Sequence, residues 1–296
     1  MDHLNLFREH FPEVKAVGVI GSGIMGHGIA HVAAAAGYTV TLFDLEAALL
    51  DRALAQIRKN LEVGVEKGKV SNADMQATLS RISTSTSLKE TVDQKELVIE
   101  AIPEKLPLKI ELFGKLSGIV NDDTILASNT SSLSIGAIAS ASSRPERIVG
   151  MHFFNPPHIL KLLELVSSGR TSPDALASVK KVAEKMQREI VVVKDSPGFA
   201  TSRLGVLLGL EAMRMVEEGV ASAEDIDKAM VHGYKHPMGP LRLSDLIGLD
   251  TRLEIAEYLH RELKSDAFKP PLILREKVRI KHLGQKSGQG FYEWNK

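Results

Sequence analysis

Two sets of residues in this chain have types and spacings suited to chemistry. In Gly21-Ser22-Gly23-Ile24-Met25-Gly26 the glycines fall in a G-x-G-x-x-G pattern. Gly21 suits a tight turn, Gly23 lets a pyrophosphate approach the backbone, and Gly26 lets a helix pack closely on a strand. The N–H groups and positive end of the following helix would hold the phosphates. Taken alone, the pattern is also an ordinary glycine-rich turn. Its context favours a dinucleotide. The apolar run Ala16–Ile20 precedes it, an alanine-rich helical stretch follows, and a second apolar run, Thr39–Phe43, ends at Asp44. An acid at that spacing binds ribose hydroxyls. Its charge would repel a 2′-phosphate and no arginine follows it, so the expected cofactor is NAD rather than NADP.

The second set is His152 with Glu164. Oxidising an alcohol with a nicotinamide needs a base for the hydroxyl proton and donors for the carbonyl that forms. An imidazole is a natural base, because its ordinary pKa lies near working pH. Glu164 alternates with Leu163 and Leu165, so it lies on the face shared with Leu162 and Val166. A carboxylate there is costly unless partnered, and a neighbouring histidine is a suitable partner. A lone histidine is more often a satisfied half-buried residue. Ser131 reads equally well as a helix N-cap, and Asn155, before two prolines, as a turn residue. His10, His27, His31, His232 and His236 have ordinary surface or packing readings.

Several elements must position these residues. Strand patterns recur at Leu97–Ile102, Thr124–Ser128, Arg147–Phe153, Lys161–Val166 and Ile190–Val193, with helical patterns between most of them. Such alternation predicts an α/β fold with a doubly wound, mostly parallel sheet. In such sheets the ligand crevice lies outside the carboxyl ends of the strands. Gly21, Asp44, Glu104, Ser131 and His152 all lie at or just beyond such ends. The long helix predicted over 47–67 carries Arg52, Arg58, Lys59 and Lys67 opposite its apolar face, which reads most simply as a solvated face. After Asp195-Ser-Pro-Gly198 the pattern is helical throughout. The division expected is therefore 1–196 for a Rossmann-type dinucleotide-binding domain and 197–296 for an all-helical C-terminal domain.

Composition narrows the function. The 296 residues carry no formal net charge at pH 7 and no long basic run, which disfavours nucleic acid and anionic membrane as partners. There is no cysteine, hence no disulfide, thiolate nucleophile or thiolate metal site, and no metal site is expected. The first ten residues lack the apolar core of a secretory signal, and no apolar run is long enough to span a bilayer. A cytoplasmic enzyme is the expectation.

Eight segments together resemble the 3-hydroxyacyl-CoA dehydrogenase family, over essentially the whole chain. They are Gly-Ser-Gly-Ile-Met-Gly (21–26), Ser-Asn-Thr-Ser-Ser (128–132), Gly-Met-His-Phe-Phe-Asn-Pro (150–156), Lys-Leu-Leu-Glu-Leu-Val (161–166), Asp-Ser-Pro-Gly-Phe (195–199), Pro-Met-Gly-Pro (237–240), Gly-Leu-Asp (248–250) and Lys-Ser-Gly-Gln-Gly-Phe-Tyr (286–292). The likeness is strongest to free-standing bacterial 3-hydroxybutyryl-CoA dehydrogenases. It implies reversible oxidation of the (S)-3-hydroxyl of an acyl-CoA by NAD, with short acyl chains favoured.

His152 matches the family's base and Glu164 its partner. Ser131 and Asn155 match residues around the nicotinamide and substrate carbonyls. Asp44, Glu104, Lys109 and Lys286 match cofactor contacts, and Lys67 a lysine near the CoA phosphates. Asn60 falls where some members place a CoA-contacting serine, and Ser202 where the family usually has a substrate-contacting asparagine. The resemblance also implies a homodimer paired through the helical domain. Two other readings fit parts of the sequence: a catalytically silent NAD-binding protein, and a dehydrogenase of a free hydroxy acid or sugar acid.

Overall fold

The computed structural model describes residues 11–294; the expectations for the first ten residues, His10 included, lie outside them. The chain divides into two compact units, Met1–Asp195 and Ser196–Lys296.

The first unit contains β1 (Ala16–Ile20), α1 (Ile24–Ala35), β2 (Thr39–Phe43), α2 (Ala47–Glu66), α3 (Asn72–Ser80), β3 (Ile82–Ser85), α4 (Leu88–Val92), β4 (Leu97–Glu100), α5 (Leu106–Ser117), β5 (Ile125–Ser128), α6 (Ile135–Ala139), β6 (Ile148–Phe153), β7 (Leu162–Ser167), α7 (Pro173–Lys185) and β8 (Glu189–Lys194). The strands form one sheet in the order β3-β2-β1-β4-β5-β6-β7-β8. From β1 the chain winds outward to β3, then returns to β4 on the other side of β1. The crevice of a doubly wound sheet opens at that reversal. Every pairing is parallel except β6 with β7.

The central strands are apolar because both faces are covered. Val17, Val19, Val40, Leu42, Leu97 and Ile99 are buried in one continuous core with Ile29, Ala33, Leu50 and Ile57 of the helices. β3 escapes sequence reading because Ile-Ser-Thr-Ser has neither alternation nor an apolar run; its pairing with β2 makes it a strand. α5 starts at Leu106, with a proline in its first turn, where a missing N–H costs little.

The second unit holds α8 (Thr201–Glu217), α9 (Ala223–Tyr234), α10 (Pro240–Ile247), α11 (Leu249–Leu263) and α12 (Leu272–Arg279). Leu210, Met213, Leu241, Leu249, Leu259, Phe268 and Leu274 form its core. The glycine-rich tail folds back onto this unit. Asp245, fully buried, accepts from Phe291 N, Tyr292 N and Trp294 Nε1 at 2.9–3.0 Å. Asp227, also buried, accepts from Leu241 N and Arg242 N at 2.8 Å and from Tyr292 Oη at 2.7 Å. A Cβ on Gly290 would lie 2.2 Å from Asp245 Oδ1, so only glycine lets the tail close over that carboxylate.

Candidate active site

The glycine loop leaves β1 at Gly21, whose φ of +95° favours glycine. A Cβ on Gly26 would lie 1.6 Å from the Gly21 carbonyl oxygen, while one on Gly23 meets nothing within 4 Å. The first position builds the turn, the third lets α1 sit against it, and the second leaves open space for a ligand. Gly23 is the N-cap of α1 and makes no side-chain cap, so the first-turn N–H groups are directed at that space. His27, read from the sequence as an ordinary surface or packing residue, braces the loop by donating Nδ1–H to the Gly23 carbonyl at 2.8 Å. Asp44 follows β2. Its Oδ2 accepts from Ser22 N at 2.8 Å and Ser22 Oγ at 2.6 Å, and its Oδ1 accepts from Leu45 N at 2.8 Å. An open backbone cradle at a helix N-terminus, with an ionisable acid tied to its rim, fits a dinucleotide.

A charge network lies at the ends of β4 and β5. Glu100, the last residue of β4, and Lys109 of α5 are fully buried and bonded at 2.6 Å. Glu100 also accepts from Ser128 Oγ at 2.6 Å and Ile102 N at 2.7 Å. Lys109 reaches the half-exposed Glu104 at 3.3 Å. Glu104 in turn accepts from Thr130 Oγ1 at 2.6 Å and from Ser131 N and Oγ at 2.8 and 3.2 Å. Ser131 is therefore held by an acid. The side-chain cap of α6 is Ser134 instead, which removes the capping reading of Ser131. Lys109, matched to a cofactor contact, is wholly enclosed and bonded to two glutamates. Glu100 went unremarked in the sequence, although an acid ending Leu-Val-Ile and a lysine in register with Phe113 and Leu116 together signal a buried pair.

His152 and Glu164 are directly opposite in the antiparallel β6–β7 register. His152 Nδ1–H donates to Glu164 Oε2 at 2.8 Å, with Glu164 fully buried and His152 7% exposed. The Phe154 ring packs 4.4 Å from the imidazole, centroid to centroid. Asn129 Oδ1 accepts from Phe153 N at 2.9 Å and ties the turn after β5 to the end of β6. Asn155 is exposed, just past that end.

The remaining expected residues are spread out. Asn60 accepts from Gln56 Nε2 at 2.9 Å on α2, and Lys67 is exposed at its C-terminal cap. In the second unit Ser202 stands in the first turn of α8. Lys286 is bonded to Asp250 at 2.6 Å. Burial opposes ionisation of Asp250, but the hydrogen bonds from Lys286 and Thr251 N draw its pKa below the ordinary value. Among the described residues no helix is long and apolar enough to cross a membrane, and no group of three acidic, histidine or cysteine side chains could hold a metal ion.

Comparison with known proteins agrees across both units. Residues 16–196 match the NAD-binding domain of 3-hydroxyacyl-CoA dehydrogenase, and residues 198–294 match its C-terminal domain. A probable 3-hydroxybutyryl-CoA dehydrogenase of Bacillus subtilis is 43% identical over 282 residues, 95% of this chain and 98% of that one. The mitochondrial hydroxyacyl-coenzyme A dehydrogenase of Sus scrofa is 42% identical, covering 95% and 91%. The crystal structure of (S)-3-hydroxybutyryl-CoA dehydrogenase from Ralstonia eutropha superposes with a TM-score of 0.92 at 38% identity, covering 96% of this chain and all of that one. With its dinucleotide loop, its opposed histidine and glutamate and both domains matched, this chain belongs to the 3-hydroxyacyl-CoA dehydrogenase family of NAD-dependent oxidoreductases.

Proposed function

We propose that this protein interconverts short-chain (S)-3-hydroxyacyl-CoA and 3-ketoacyl-CoA, 3-hydroxybutyryl-CoA and acetoacetyl-CoA first among them, with His152 and Glu164 as one proton-transfer unit. The observation that carries this reading is the 2.8 Å bond between a buried carboxylate and an imidazole at the end of β6. With Nδ1–H given to Glu164, Nε2 is the atom that takes the substrate hydroxyl proton. Glu164 fixes that tautomer and stabilises the imidazolium that forms. NAD would supply the hydride acceptor for C3 when bound. The open cradle of Gly21 to Gly26, residues Ser22, Ile24 and Met25 included, would hold its phosphates, and Asp44 its ribose.

Ser131, oriented by Glu104, and Asn155 donate to the oxygens at the reacting centre. Lys67 and Asn60 serve the CoA end, Lys109 acts through Glu104, and Lys286 and Ser202 contribute from the helical unit. The reading extends to a cytoplasmic homodimer paired through the helical unit, supported by the exposed Leu204, Leu246 and Ile247.

The test is turnover of acetoacetyl-CoA with NADH, beside free acetoacetate, in wild type and three variants. Wild type should reduce the thioester and leave the free acid. General acid–base catalysis contributes roughly two to four decades, so His152→Ala should lose that much kcat. Glu164→Gln should lose less, and the double variant should barely exceed His152→Ala, because parts of one unit are non-additive. NADH affinity should survive in all three. Additive losses in the double variant would separate the pair, and a silent wild type would remove the assignment.

A further inference from the structure

The connection from β6 to β7, residues 154–161, carries Asn155 near its start. The turn at 156–160 closes on Pro156 O, which accepts from Ile159 N at 3.0 Å and Leu160 N at 2.9 Å. The side chains of Ile159 and Leu160 are exposed, so they give the turn no hold on the core. The hold comes from two other sides, both within the first unit.

On one side is Arg188, half-buried between α7 and β8. Its Nη1 donates to Pro157 O at 2.8 Å and Leu160 O at 3.1 Å, and its Nε donates to Met186 O at 2.7 Å. Among the described residues no carboxylate pairs with it, and burial draws its pKa below the ordinary arginine value. A guanidinium fork matches a carboxylate best, yet this one is committed to three carbonyls, two of them in one turn. On the other side is α1. A Cβ on Gly28 would lie 2.6 Å from Pro157 Cδ, so only glycine lets the helix meet the buried proline. Three residues further along α1, His31 stacks on His158, with ring centroids 5.4 Å and planes 18° apart. Burial lowers the pKa of both imidazoles, and Nδ1 of each is buried without a hydrogen-bond partner. The rings therefore meet as neutral surfaces.

We propose that Arg188 is a positioning residue, which together with the His31–His158 stack holds the turn 156–160 against α1 and so keeps Asn155 at the reacting centre. The role rests on the reading above, in which Asn155 donates to the reacting oxygens. A donor stabilises developing charge when its place is fixed before the reaction. Asn155 is exposed, and among the described residues its side chain makes no hydrogen bond. Its place is therefore set by the backbone, β6 before it and the clamped turn after it.

The experiment measures acetoacetyl-CoA reduction by NADH in Asn155→Ala, Arg188→Met and the double variant. Removing a donor at the developing charge should lower kcat roughly 10²-fold in Asn155→Ala. Arg188→Met should lose part of that, about tenfold, because the donor is misplaced rather than removed. KM for the thioester and NADH affinity should hold, since the loss falls in the transition state. The double variant should be no slower than Asn155→Ala, because Arg188 acts only through Asn155. Arg188→Lys should recover part of the rate. His158→Phe, which keeps a ring in the stack, should retain more kcat than His158→Ala. Hydrogen exchange in Arg188→Met should quicken at the Ile159 and Leu160 amides and stay unchanged in β1 and β4.

Multiplied losses in the double variant would overturn the proposal and leave Asn155 at the site. So would exchange that quickens across the whole sheet, which makes Arg188 a general support. If Arg188→Met does not fold, Arg188→Lys and His158→Ala in the Asn155→Ala background carry the same test. Wild-type kcat in Asn155→Ala would remove both Asn155 and this role for Arg188, while continued turnover would leave the acyl-CoA reading standing.

Discussion

Buried carboxylates in the two units are satisfied in opposite ways at Glu100 and Glu164 on one side and Asp227 and Asp245 on the other. In the first, two buried groups meet an opposite charge or a carboxylate: Lys109 meets Glu100 and Glu104, and His152 meets Glu164. In the second, Asp227 and Asp245 are satisfied by backbone N–H groups, a phenol and an indole, and among the described residues no salt bridge reaches either. Ion pairs at strand ends place charge where a ligand's charge changes during reaction. Neutral donors around a carboxylate instead make a clamp, and this one fastens a tail to α9 and α10. Tyr292 carries the imprint of that clamp: burial, then its bond to Asp227, pushes its phenol well above the ordinary value.

The sharpest way to break this contrast is Lys109→Met. It strands Glu100 without its cation in a fully buried place, and breaking such a pair costs roughly 3–5 kcal/mol. Chemical denaturation should show that loss, and kcat should fall as Glu104 loses part of its hold on Ser131. A stability change no larger than that of an exposed lysine variant would erase the distinction between the units.

Next in size is an exception inside the first unit. His31 is buried, stacked 5.4 Å from His158, and has no opposite charge beside it. Burial, then the charges of His158 and His27, lower its pKa to about 4. The unfolded chain takes up that proton near 6.5, so it binds more protons than the folded one between the two values. Stability is therefore full above 6.5 and is lost as pH falls toward 4, by about 3 kcal/mol at most. His31→Gln should flatten this acid limb in denaturation curves taken at several pH values; parallel limbs in the two proteins would show that other groups set the loss.

The smallest effect is expected of Asp245→Asn. The amide still accepts one or two of the three hydrogen bonds, so the loss should be about 1–3 kcal/mol. It should appear as faster amide exchange at Phe291 and Tyr292, with protection in β1 and β4 unchanged. Equal loosening of both units would show that the clamp is not local.

Much of this arrangement was legible in the sequence where one rule acted alone. The glycine spacing with its flanking runs located the loop and Asp44. The alternation around Glu164 set its face, and the two prolines after Asn155 indicated the return strand that brings it opposite His152. Reading failed where a residue's partner comes from another element. Lys109 looks like a surface lysine until Glu100 is seen beside it in space. Ser131 looks like a cap until Glu104 takes its backbone N–H and hydroxyl. β3 has no pattern of its own and exists through β2. Arg188 sits between Gln187 and Glu189 without any local sign that its guanidinium reaches across to Pro157 and Leu160.

The direct opposition of His152 and Glu164 makes β7 a parity counter. Deleting or inserting one residue ahead of Glu164 would send its carboxylate to the other face of the sheet. A shift of two would restore the face but displace the acid roughly 7 Å along the strand. Either change separates acid from ring while each strand keeps its composition. In a scan of single-residue insertions and deletions, residues 150–153 and 162–166 should therefore form an intolerant block. For transplantation, the unit to move is the paired two-strand ribbon in its register, since neither side chain carries its function away alone.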